Sequence, residues 1–224
     1  MGEKSEVLIK IFGVFDITGE VVAMFALLII TAILSIIATK NMKIRPGKFQ
    51  NIMETAVEAL DNFISGIIGK KLGRKYFYFL GSLFMFIIMA NYSGLIPGMG
   101  LTKYIKAPTS SLSCTLGLGL ASFIFLQAAG IRSNVKHYFK KFVSPMIVMH
   151  PLLLLDELIK PASLALRLFG NVFGEETVTE ELYGILPIGV PVIMMVLSLL
   201  FCAIQAVVFT MLVSIYLEEQ VEAE

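Results

Sequence analysis

The sequence predicts an all-helical protein that crosses a membrane several times. Three observations carry this expectation. Only 16% of the 224 residues are charged and 57% are hydrophobic, whereas soluble domains average about 25% charged residues. Four stretches, 21–39, 76–102, 107–131 and 182–217, contain no Asp, Glu, Lys or Arg. Each reaches the ~18 residues that read as a transmembrane helix. The remaining basic residues gather between the runs, at 40–48, 70–75 and 132–141. The whole chain, 1–224, reads as one integral domain with no room for a soluble one. The formal net charge of +1 indicates no bulk attraction to nucleic acid. Cys114 and Cys202 each lie in an apolar run without metal-ligand or disulfide spacing, so neither a metal site nor a disulfide framework is expected.

In chain order, residues 1–19 form a slightly acidic flank, with Glu3, Glu6 and Asp16 against Lys4 and Lys10. No basic signal-peptide start is seen, so the first apolar run is expected to remain as a span over 20–39. Pro46-Gly47 breaks the chain. Segment 48–69 is too polar to span. Ile52, Ala56, Ala59/Leu60, Phe63 and Ile67 recur at helical spacing, with Glu54, Glu58 and Asp61 off that line. This predicts an amphipathic helix on the cytoplasmic membrane surface. Spans follow at 76–96 and 109–130, separated by Pro97-Gly98. Lys/Arg clusters mark cytoplasmic loops, which places the N-terminus outside, 40–75 inside, 97–108 outside and 132–141 inside. Segments 145–182 and 190–217 form a hairpin through the breaker-rich Gly184–Pro191 stretch, ending in an acidic cytoplasmic tail, 218–224. Five crossings put the two termini on opposite sides.

Segment 145–182 is apolar enough to enter a bilayer, yet Asp156, Lys160, Ser163, Arg167, Asn171 and Glu175 recur along it at gaps of three or four. At ~3.6 residues per turn they share one helix face. Arg167 is the costliest of them. A guanidinium stays protonated, and burying one at a bilayer centre costs ~2.5–3.5 kcal/mol on insertion scales. Such a stripe suits an ion-conducting surface; a polar seam that glues helices together is the other reading. If the hairpin turns near Leu186, Arg167 lies level with Gln205 and Glu175 near Leu197/Ser198. Gln205, the only amide in the last run, is expected either to hydrogen-bond the guanidinium or to be satisfied by backbone. Gly170 and Gly174 form a GxxxG pair that would let another helix approach beside the arginine.

Lys160-Pro161-Ala162-Ser163-Leu164-Ala165-Leu166-Arg167-Leu168-Phe169-Gly170-Asn171 resembles the arginine motif of the subunit a family of rotary F-type ATP synthases. Asn91-Tyr92-Ser93-Gly94-Leu95-Ile96-Pro97-Gly98, Pro108-Thr109-Ser110, and Gln205-Ala206 with Tyr216-Leu217 resemble further family stretches. The resemblance covers about 20–217. It implies a non-catalytic stator subunit whose last two helices form a long tilted hairpin against a ring of c subunits. It further implies partnership with the b subunits of the peripheral stalk, the rest of the complex and membrane lipids, transport of protons or sodium ions, and no cofactor. By the resemblance Arg167 is the essential stator arginine, Asn171 and Gln205 are its polar neighbours, and Glu176 is the acidic position of the outer half-channel, with Glu175 as a second carboxylate. Ser198 stands where many relatives have His, Leu153 where some have an acid, and Ser111 where some have Asp.

Two other classes remain open to the residues alone. A secondary transporter would use Arg167 to bind an anionic substrate, although no internal repeat is visible. A non-conducting membrane scaffold would tolerate loss of the arginine. No Gly-rich Lys-Ser/Thr loop is present, so the chain itself is expected not to bind nucleotide. His137 and His150 lack ligand spacing. The short chain without a presequence is expected in a bacterial plasma membrane.

Overall fold

The computed structural model describes residues 7–11, 15–40, 43, 47–94, 108–133, 150–185 and 189–221. Residues 95–107, 134–149, 186–188 and 222–224 lie outside the described residues, and with them Lys103, Lys106, Lys136, His137, Lys140 and Lys141. Five helices dominate: α1 (Gly19–Thr39), α2 (Lys48–Ser93), α3 (Leu112–Ser133), α4 (His150–Ile185) and α5 (Val190–Val221). Four of them contain stretches long and apolar enough to cross a membrane: Val21–Thr39, Lys48–Ser93, Leu112–Ser133 and Ile193–Val221. The all-helical expectation needs one correction. Strands β1 (Val7–Ile11) and β2 (Phe15–Thr18) pair antiparallel, Ile9 opposite Ile17 and Ile11 opposite Phe15. Alternation of Leu8 and Lys10 with Val7, Ile9 and Ile11 suits a strand period of two.

Helix α1 is almost unbroken hydrocarbon, and only 6% of its most apolar window is buried within the chain. Its hydroxyls are returned to its own backbone: Thr31 to Leu27 O, Ser35 to Thr31 O and Thr39 to Ser35 O. That leaves no hydroxyl without an acceptor in an apolar medium. Gln50 then ties the next helix to the connection before it, accepting from the Lys43 N–H at 3.1 Å and donating to the Lys43 carbonyl at 3.0 Å.

Helix α2 is two helical halves joined at Gly69, whose φ of 76° and ψ of 153° lie in a region essentially reserved for glycine. The halves fold back on each other beyond the bend. A Cβ added at Gly73 would lie 2.6 Å from the Ser65 hydroxyl, and one at Gly81 would lie 3.7 Å from Leu60. This alters the stripe expected for 48–69. Ile64 and Ile68, off the predicted line, are fully buried, while Ile52 is exposed. The fold-back selects the residues nearest the bend for the core. Lys70, Lys71, Arg74 and Lys75 stay exposed around it.

The core joins Ile64, Ile68, Leu80 and Ile87 of α2, Leu126 and Ala129 of α3, Leu164 and Leu168 of α4, and Phe209, Val213 and Leu217 of α5. Phe79 stacks on Phe125 with centroids 3.4 Å apart. A 3-10 turn, Pro108–Ser110, leads into α3. Gly119 of α3 meets α4 so closely that an added Cβ would sit 2.8 Å from the Pro161 carbonyl oxygen. Gly189, with a φ of 99°, opens α5 and its carbonyl accepts from the Ile193 N–H.

Candidate functional site

The sequence around Arg167 explains where its side chain goes. Leu164, Ala165 and Leu168 are 0–2% exposed and anchor one face of α4 in the core. At ~100° per residue this turns Gly170 away from the core and leaves Arg167 and Asn171 at the edge of the buried face, where all three are exposed. No hydrogen bond or ion pair links Arg167 to any described residue. Ser163 and Asn171 flank it one turn away on either side, Leu166 and Phe173 are exposed nearby, and an added Cβ at Gly170 or Gly174 would meet nothing within 4 Å.

The level of Gln205 against α4 differs from expectation by about one turn of helix. Gln205 does not hold the guanidinium. Its Oε1 accepts from Asn171 Nδ2 at 2.7 Å, which moves the level of pairing one turn along α4. Gln205 is itself buried, and its Nε2 has no partner. Farther along the seam, Glu175 lies beside the buried Ser198 hydroxyl, with Glu176 next to it and Cys202 close by. Asn171–Gln205 and Glu175–Ser198 therefore form two polar rungs between α4 and α5, beyond Arg167.

On the other side of Arg167 the predicted stripe divides. Ser163 is half-buried, and the Asp156 side chain lies outside the described residues. Lys160 is 7% exposed. Its ammonium donates to Glu219 at 2.9 Å, lies 3.5 Å from Glu157 and sits over the Tyr216 ring. Lys160 and Arg167 are seven residues apart and nearly eclipsed on the helix. Their different exposure comes from what stands opposite, the end of α5 in one case and no described residue in the other. Glu157, absent from the predicted stripe, takes part in this buried cluster. Its only sequence signal is the three-residue spacing to Lys160.

Several interior polar groups were given no individual role from the sequence. Asn91, Thr109, Ser122 and Thr210 are buried, and each leaves a side-chain oxygen without a partner. The Asn91 amide makes a long contact, 3.5 Å, with the Cys202 carbonyl. Short hydroxyl and amide residues in an apolar run give little pattern by which to find them. Among the described residues no group of three His, Cys, Asp or Glu comes together to hold a metal.

The family model described as ATP synthase A chain matches residues 21–218. ATP synthase subunit a of Moorella thermoacetica is 36% identical over 206 residues, covering 92% of this chain and 91% of that protein. The subunit a of Trichlorobacter lovleyi is 34% identical over 208 residues, 91% of this chain and 87% of the relative. The chloroplastic subunit a of Stigeoclonium helveticum is 33% identical over 213 residues, 93% and 87%. Neither a transporter nor a scaffold reading finds support in these matches. With its apolar helices, its exposed arginine and a match across nearly its whole length, the chain belongs to the ATP synthase A chain family, the multi-pass, non-catalytic ion-channel subunit of that complex.

Proposed function

We propose that this chain carries ions to and from the carboxylates of a rotating c-subunit ring through two offset half-channels, with Arg167 between them. The observation that supports it most is a permanent cation exposed on α4, without a partner among the described residues. An unpaired charge in hydrocarbon is too costly to keep without a use, and a carboxylate presented by a neighbouring subunit supplies one. Gly170 and Gly174 leave room for a helix to approach beside it. The tilted hairpin of α4 and α5 is the surface assigned to the ring.

A ring carboxylate crosses lipid only when neutralised by its ion. Opposite Arg167 it is favoured as the anion and gives that ion up. At ~4 Å and an effective dielectric of ~20 the pair attracts by ~4 kcal/mol before desolvation, equivalent to about three pKa units. The fixed cation also repels ions in transit, which keeps the two half-channels from merging into a leak. Each crossing yields ~2.3 kcal/mol per 100 mV, so the ring must sum several steps for one ATP. Glu175, Glu176 and Ser198 are assigned to the outer half-channel. Asn171 and Gln205 orient the region of the arginine, and Ser163 and Asp156 lie toward the inner half-channel. The N-terminus lies outside and the C-terminus in the cytoplasm of a bacterial cell, with the b subunits as stator partners.

The test is Arg167→Ala in the assembled complex. Ion-coupled ATP synthesis is expected to be lost while the complex still assembles; normal coupled synthesis would end the proposal. ATPase activity of the intact complex against sodium concentration separates proton from sodium transport.

A further inference from the structure

Glu157 and Lys160 sit one turn apart on α4, 8% and 7% exposed. One Glu157 oxygen accepts from Gln127 of α3 at 2.9 Å and the other from Gln220 of α5 at 2.6 Å. Lys160 bridges to Glu219 of α5 at 2.9 Å and lies 5.2 Å from the centre of the Tyr216 ring. Side chains from two neighbouring helices thus converge on a single turn of α4. The cavity they border, about 10 Å³, is far too small for a small-molecule ligand. Both carboxylate oxygens and the ammonium are engaged inside the cluster. Groups so occupied are suited to holding helices in place and poorly suited to handing an ion onward.

This turn is also the weakest of α4. Pro161 has no N–H, so the Glu157 carbonyl loses its helical donor, and the proline ring presses on that carbonyl. Proline sites in helices support kinks beyond ~20°. Arg167 lies six residues farther on, about 9 Å along the axis. A change of ~20° at Pro161 therefore moves the arginine's place on the helix by about 3 Å. Misplacement of a reacting group by ~1 Å can cost ~100-fold in rate.

We propose that the Glu157–Lys160 cluster is a latch that fixes the direction of α4 through the Pro161 turn and thereby positions Arg167 for its encounter with the ring carboxylate. Gly119, packed on the Pro161 carbonyl, supports this turn from the α3 side. Glu157, Lys160, Gln127 and Gln220 are positioning residues in this scheme, and the scheme rests on the ion-translocating role of Arg167.

The experiment uses the intact complex in vesicles and reads two quantities, the amount assembled and the ions pumped per ATP hydrolysed. The variants are Glu157→Leu, Glu157→Gln, Gln220→Leu, the exchange Glu157→Gln with Gln220→Glu, and Arg167→Ala. Glu157→Leu and Gln220→Leu should lower pumping per ATP about tenfold or more in complexes that do assemble. The exchange keeps one charge and one α4–α5 hydrogen bond, and should recover most of that loss. Glu157→Gln carries the test if the leucine variant does not assemble. Normal pumping per ATP in the assembled single variants overturns the latch, as does a fall in assembly alone or a failure of the exchange to recover pumping. Arg167→Ala keeps the two ideas apart. If it pumps normally, the proposed function falls. If it is dead while Glu157→Leu and Gln220→Leu pump normally, only the latch falls.

Discussion

Replacing Gly119 with alanine tests the closest approach between α3 and α4. The new methyl would sit 2.8 Å from the Pro161 carbonyl oxygen and 3.2 Å from the Ala165 Cβ. The first neighbour is backbone and cannot swing away, so the helices must part by several tenths of an ångström. Overpacking of this kind costs ~1–3 kcal/mol. Removing a helical glycine returns about 1 kcal/mol, so the net expectation is a loss of up to about 2 kcal/mol. Gly117, two residues away on the same helix, is the control, because an added Cβ there meets nothing within 4 Å. Gly117→Ala should be neutral or stabilising by up to about 1 kcal/mol. The assay is thermal or denaturant unfolding of the purified subunit in detergent, with both variants compared with the unmodified chain. Gly119→Ala should unfold below Gly117→Ala by at least about 1 kcal/mol. Equal stability of the two would refute the contact, and with it the account of how α3 supports α4 at Pro161.

Other expectations follow from single residues. Gly69→Ala forces a side chain into a backbone region that costs about 1–3 kcal/mol; it should open the fold-back of α2, read as a longer spin-label distance between its two halves. Gln205→Leu removes the partner of Asn171, a loss of about 0.5–1.5 kcal/mol for a hydrogen bond. It should slow ion flux without abolishing assembly, and unchanged flux would remove Gln205 from the pathway. Gly170→Ala meets no described residue within 4 Å, so the subunit should keep its stability while ATP-driven pumping falls, as close approach of a second subunit requires. Glu176→Gln should slow ion entry in reconstituted vesicles, and unchanged flux would remove it from the outer half-channel.

Much of the architecture was legible because bilayers impose a strong pattern. Four long apolar helices follow from uncharged runs, and the breaker residues around 184–191 mark the reversal between α4 and α5. The N-terminal hairpin was not legible. Nine strand residues within a charged flank give only a short alternation, with Gly13 as the single turn signal between the two runs. The fold-back of α2 was half legible: Gly69 is visible, but its positive φ is not. Within the candidate site, Glu175 near Ser198 agrees with counting along the hairpin, whereas Gln205 pairs with Asn171 instead of Arg167. Residue counting assumes two straight rods in one uniform register, and agreement at Glu175 beside a four-residue shift at Gln205 shows that side-chain reach and helix crossing vary along the seam.

From the order of its amino acids alone, the chain is a multi-span helical protein with a permanent cation among leucines, because hydrophobic runs and the cost of a charge in hydrocarbon are properties of composition and spacing. Tertiary structure alone decided that Lys160 is enclosed by Glu157, Glu219 and Tyr216 while Arg167, seven residues on and nearly eclipsed with it, stays bare. Helical periodicity fixes a side chain's direction about its own axis. What it meets there depends on how three helices cross, and that is set by contacts as remote in sequence as Gly119 on Pro161 and Gln220 on Glu157.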